Sequence, residues 1–179
     1  MKDYLEEVKS LEAQVGELVG RWRRLMRPTL LGLVEKEDRK AVLQVFHQLP
    51  TPDRDYSPEM FSEAYHGLLR RVYPSMGERR EILNPGKCPH DYPETVEEAC
   101  AVLDWGFQKA CVELFQYITL TLSCLANARE LLAEGKGESP QDLEKALAEA
   151  RSFLFLAKSR AKLLPGLIYA EQLLRVCDG

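Results

Sequence analysis

Residues 95–134, TVEEACAVLDWGFQKACVELFQYITLTLSCLANARELLAE, contain no proline in forty positions, and the fifteen residues from Leu114 to Ala128 carry no charge. A stretch of this kind is expected to be one long helix covered on most of its circumference by the rest of the chain, because a helix that is apolar nearly all round is stable in water only when buried. Forty residues at about 1.5 Å each make a rod of about 60 Å, whereas a compact domain of this length has a radius of gyration near 16 Å. The bundle is therefore expected to be elongated, or the helix to bend, with Gly106 as the position for a bend.

Downstream, Gly135-Lys136-Gly137 forms a turn, and Ser139-Pro140-Gln141-Asp142 has the composition of a helix start. Leu143, Leu147, Ala150, Leu154, Ala157, Ala161 and Leu164 then alternate spacings of four and three, a seam that fits against the long helix. Pro165-Gly166 is expected to stop this helix. A last short one, 167–176, would fold back over an end of the bundle with Leu167, Ile168, Leu173, Leu174 and Val176.

Upstream, Tyr4, Val8, Leu11, Val15, Leu18, Trp22 and Leu25 repeat the four-and-three alternation over a first helix at 3–27. Acids lie early in it and arginines late, the order that complements the helix dipole. Gly16 and Gly20 weaken it by about 1 kcal/mol each and suggest a close crossing with a neighbour. Pro28 is expected to break it, with a second helix over 30–48. Ser57-Pro58 caps a third, 58–73, in which Phe61, Ala64, Tyr65, Leu68, Leu69 and Val72 share a face. Residues 74–94 hold four of the ten prolines and read as an irregular loop. No segment alternates with period two. The expectation is an all-α, elongated bundle of about six helices around one long central helix (about 95–134), within a single domain over residues 1–179 and without a sheet.

The composition, 45% hydrophobic and 29% charged, is that of an ordinary globular protein, and the length suffices for a core without disulfides or metals. Five cysteines is an odd number, and Cys100, Cys111 and Cys124 fall within the long helix, where thiols pack as small hydrophobes. A reducing, cytoplasmic setting is expected. The acidic, amphipathic N-terminus resembles neither a signal peptide nor a transit peptide. The uncharged run includes Gln116, Thr119, Thr121, Ser123 and Asn127 and is too short to span a bilayer, so no membrane partner is expected. Net charge is −4, unevenly spread: residues 21–87 carry 13 basic and 9 acidic side chains, a net of +4, and the remainder nets −8.

Three groups of residues are candidates for function. Lys109, Glu113, Gln116, Ser123 and Asn127 lie on one stripe of the long helix, continued by Glu130 and Glu134. This stripe is either a narrow solvated strip or a polar seam facing a partner, in which Glu113 would need a compensating donor. Arg21, Arg23, Arg24 and Arg27, with Arg70, Arg71, Arg79 and Arg80, form basic clusters able to hold a phosphate backbone, although Trp22 belongs to the apolar seam and not to a stacking platform. The plainer account of these arginines is that they answer helix C-termini and nearby acids. Cys88 and His90 in the long loop are weak metal candidates, because paired cysteine spacings are lacking. Glu63 and His66 match one half of a di-iron motif, but no second such pair exists in the sequence.

No phosphate loop, nucleophile elbow or paired-carboxylate signature is present. The reading is a non-enzymatic intracellular assembly subunit, without a cofactor, that binds a protein partner or self-associates through apolar helix faces. The alternatives are a nucleic-acid-binding subunit of a ribonucleoprotein-type complex using the arginines, and a metal- or thiol-dependent helical enzyme centred on Cys88 and His90.

Overall fold

A computed structural model describes residues 3–33, 90–133 and 140–178, together with Cys88 and scattered positions between residues 40 and 67. These residues are mostly helical, with no strand among them. Among the described residues three helices are delimited, where about six are expected over the whole chain: α1 (Tyr4–Leu33), α2 (Val96–Ala133) and α3 (Pro140–Asp178).

Each helix starts for a local reason. In α1, the Glu6 N–H donates to Asp3 Oδ1 at 3.2 Å, which makes Asp3 the N-cap. In α2, the Glu98 N–H donates to Thr95 Oγ1 at 3.1 Å, while Glu98 Oε2 accepts from the Glu94 N–H at 2.8 Å, a variant of the capping box in which the carboxylate reaches one residue further back. The bond from Glu94 is the main reason that Glu98 titrates below the ordinary carboxylate range; the Thr95 backbone and His90 act in the same direction. The Met60 N–H donates to Ser57 Oγ at 3.3 Å, the cap anticipated there, although most of 58–73 lies outside the described residues.

Contacts between helices fix their directions. Glu113 pairs with Arg160, and the Cys124 thiol approaches Glu149 at 4.0 Å, so that climbing α2 descends α3 by the same number of residues. The two run antiparallel. Glu7 pairs with Arg151 and Gln14 with Lys158, a step of one heptad on both sides, so α1 and α3 run parallel. Arg129 donates from Nε and an Nη to both oxygens of Glu12 at 2.5 and 2.6 Å, and Trp22 meets Phe115 edge-on at 4.5 Å, which sets α1 antiparallel to α2. That ion pair holds the Arg129 guanidinium above its usual pKa. The closest packing is between α2 and α3.

The core contains Val8, Val15 and Trp22 of α1, Leu114, Ile118, Leu122 and Leu125 of α2, and Leu147, Leu154 and Leu164 of α3. Within the uncharged run of α2, the hydroxyls of Thr119 and Thr121 donate to the carbonyls of Phe115 and Tyr117 one turn back, at 2.8 and 2.7 Å. Thr121 is thereby buried without a cross-helix partner. Cys100 and Cys111 are buried and Cys124 half-buried, as expected for structural thiols.

Three expectations are corrected. First, α1 does not break at Pro28 but runs on to Leu33. A proline inside a helix removes one backbone hydrogen bond and kinks the axis, and neither effect forces a stop when Leu30, Leu31 and Leu33 follow. Most of the expected 30–48 helix, and 74–87 of the irregular loop, fall outside the described residues. Second, α3 does not stop at Pro165-Gly166; it continues to Asp178, and no separate helix folds back. Pro165 and Gly166 sit on the exposed side, where the Ala161 carbonyl that loses its donor can be solvated, while Leu164, Leu167 and Ile168 keep packing on the core across the irregularity. At 39 residues α3 is as long as α2 with 38. Third, Gly16 and Gly20 do not mark a close crossing, since a methyl group added at either would meet nothing within 4 Å. Gly106 lies within an unbroken α2, where an added methyl would make ordinary contact with Leu167 Cδ2 at 3.8 Å.

Candidate functional site

The polar stripe of α2 divides in two. At one end, Lys109 lies 5.2 Å from the Trp105 ring centroid on its own helix, and Glu113 is hydrogen-bonded to Arg160 Nε of α3. The Arg160 guanidinium also sits 5.8 Å from the Tyr117 ring centroid, so a cation from α3 is held by a carboxylate and an aromatic face one turn apart on α2. Gln116 is half-buried beside them. Here the stripe is a seam, and its partner is this chain's own third helix. At the other end, Ser123, Asn127 and Glu130 are exposed, a solvated strip.

The arginines distribute differently. Arg21 is exposed and donates to Glu17 Oε1 at 2.6 Å, and Arg24 is exposed. The side chains of Arg23 and Arg27, and Arg70, Arg71, Arg79 and Arg80 entirely, lie outside the described residues, as does His66. Because α1 extends to Leu33, Arg21, Arg23, Arg24 and Arg27 precede its last turn, which contains no basic residue. They therefore do not answer the helix C-terminus. Trp22 is 2% exposed and committed to the core, unavailable to stack on a base.

The Cys88 thiol donates to the His90 carbonyl at 3.4 Å, and among the described residues no three metal-ligating side chains converge. Burial pushes the Cys111 thiol well up, and burial followed by the Glu149 carboxylate does the same to Cys124, so neither is an activated nucleophile. No described helix is long and apolar enough to cross a membrane.

The chain matches no protein-family model, no curated relative and no solved structure.

An apolar line on the far side of α3 is exposed. Phe155, Ser159, Lys162, Gly166, Tyr169, Leu173 and Val176 alternate four and three along one side of α3. Phe155 is 69% exposed, Tyr169 63% and Val176 77%, with Leu163 and Leu173 about half exposed beside them. Glu171 and Arg175, which pair with each other on their own helix, lie on the opposite side of these turns. Beyond Pro165 apolar residues thus face both ways, half-buried Leu167 and Ile168 toward the bundle and Tyr169, Leu173 and Val176 toward solvent. Sequence reasoning identified Leu173 and Val176 as apolar, but it placed them on a helix folded over the bundle.

Proposed function

We propose that this chain is a non-enzymatic assembly subunit that joins a protein partner, or a second copy of itself, through the outward apolar stripe at the end of α3. The observation that supports the reading is the exposure of Tyr169, Leu173 and Val176 at consecutive four-and-three positions. Scattered exposed apolar residues are ordinary, whereas a contiguous helical line of them fits a groove or another helix. Full burial of a leucine or valine side chain against such a surface is worth about 1.5–3 kcal/mol, so a few of them supply the centre of an interface.

Light scattering on the purified chain, with affinity capture from lysate in parallel, tests this. The expected result is a dimer or a recovered partner, either of which is lost in Leu173→Glu with Val176→Glu while the melting temperature is unchanged. A wild-type monomer that captures nothing, or an assembly indifferent to both substitutions, contradicts it.

A further inference from the structure

The parallel pairing of α1 with α3 has a gap in it. Gln14 and Lys158 bridge the two helices at 2.7 Å, and in the same register Glu17 then stands opposite Ala161, Leu18 opposite Lys162 and Arg21 opposite Pro165. An alanine and a proline are too short to reach across. The seam opens there into a cleft of about 500 Å³ that also reaches Trp22, a volume within the range of small-molecule sites.

The chemistry of its lining is uneven. Leu18, Trp22, Ala161 and Pro165 supply apolar wall, while Arg21, Lys158 and Lys162 outnumber the single acid, Glu17. Glu17 is taken by Arg21. Lys158 is bonded to the neutral amide of Gln14, which leaves its charge uncompensated. Among the described residues, no hydrogen bond or ion pair engages Lys162. Two uncompensated ammonium groups beside an apolar wall, on a chain whose net charge is −4, form a local attraction for negative charge.

We infer that the cleft between α1 and α3 binds a small amphipathic organic anion, its apolar body against Leu18, Ala161 and Pro165 and its acidic head on Lys158 and Lys162. Two spare charges suit a single carboxylate, sulfonate or phosphate head. A nucleic-acid backbone would need a much longer row of cations. The apolar wall excludes a bare inorganic ion as the best occupant, because such an ion would gain nothing from it.

Calorimetric titration of the full chain with 1-naphthoate, and separately with the uncharged 1-naphthalenemethanol, tests the assignment. Saturable binding of the carboxylate is expected, about tenfold tighter than of the alcohol, because a charge-to-ammonium contact is worth about 1.4 kcal/mol or more in a partly dry site. Lys162→Glu, at an exposed and unpaired position, should weaken naphthoate binding at least about tenfold without moving the melting temperature. Ala161→Leu, which fills the cleft, should weaken binding of both compounds. No saturable binding of naphthoate, equal binding of the alcohol, or indifference to Lys162→Glu would each overturn the inference. None of these outcomes bears on the proposed interface at the end of α3, because Tyr169, Leu173 and Val176 lie outside the cleft.

Discussion

Leu164 and Val176 belong to one helix, yet Leu164 is completely buried and Val176 is 77% exposed. The part of α3 before Pro165 places Leu143, Leu147, Ala150, Leu154 and Ala157 in the core, in step with α2. The part after it contains as regular an apolar line and turns that line outward. The difference shows that periodicity identifies a stripe but not the side of the bundle it faces. In α3 that side is set by helix continuity: because the chain passes Pro165 without stopping, Tyr169, Leu173 and Val176 remain on the face begun by Phe155.

The sharpest separation of the two parts should come from truncating their side chains. Leu147→Ala is expected to lower stability by about 2–5 kcal/mol in urea titration, since it empties a fully enclosed site. Val176→Ala should change stability by less than about 0.5 kcal/mol, because it removes surface that is already in water. Equal losses would abolish the distinction between the two parts of α3.

A smaller effect is expected where polar residues tie the inner part to α2. Arg160→Ala leaves the mostly buried Glu113 carboxylate without its partner, and a loss of about 1 kcal/mol is predicted, above that of an ordinary surface pair. Arg175→Ala, on the outer part, breaks a pair within one helix and should cost about 0.3–0.5 kcal/mol.

Of opposite sign are Gly16→Ala and Gly20→Ala in α1, each expected to stabilise by about 0.5–1 kcal/mol, since the added methyl meets nothing and the unfolded chain loses freedom. Destabilisation by either would restore the close crossing that the structure lacks. The least perturbing comparison is chemical: a thiol reagent at neutral pH should modify exposed Cys177 on the outer part of α3 within minutes, while Cys111, whose thiolate is suppressed by burial, should react after unfolding.

Acid should weaken the start of α2. The Glu98 pKa lies below its unfolded value of 4.5, so its stabilising contribution is fully present above that pH and disappears as pH falls through the folded value. Glu98→Gln should remove that part of the acid dependence, followed by amide exchange at Glu94 and Glu98.

How much of this was legible in the sequence differs from helix to helix. The extent of α2 followed from the absence of proline and from the uncharged run within it, and the seams of α1 as far as Trp22 and of the first part of α3 followed from their spacing, apart from Val19, which is fully buried beside the expected line. The helix ends were misread at both prolines, because a breaker lowers the preference for helix by a few kcal/mol and packing of residues such as Leu167 and Ile168 on its far side can outweigh that. Glu113 was identified as needing a donor, but Arg160 was not identified as supplying it. A signal for the relative placement of α1 and α3 was present: Glu7, Gln14 and Arg21 recur at sevens, as do Arg151, Lys158 and Pro165. Aligned, they give the two bridges and then the cleft, but the alignment of two separate helices is a tertiary fact that neither repeat contains alone.

Continuity of α3 through Pro165 is the premise on which the outward stripe depends, and the distance between spin labels at exposed Gln141 and Gln172 measures it directly. A continuous helix places the two backbones about 46 Å apart at 1.5 Å per residue. A mean near that value, with a narrow spread, is predicted. A mean near about 25 Å, the result of a chain that turns back after Pro165, would contradict the account and return Leu173 and Val176 to the core.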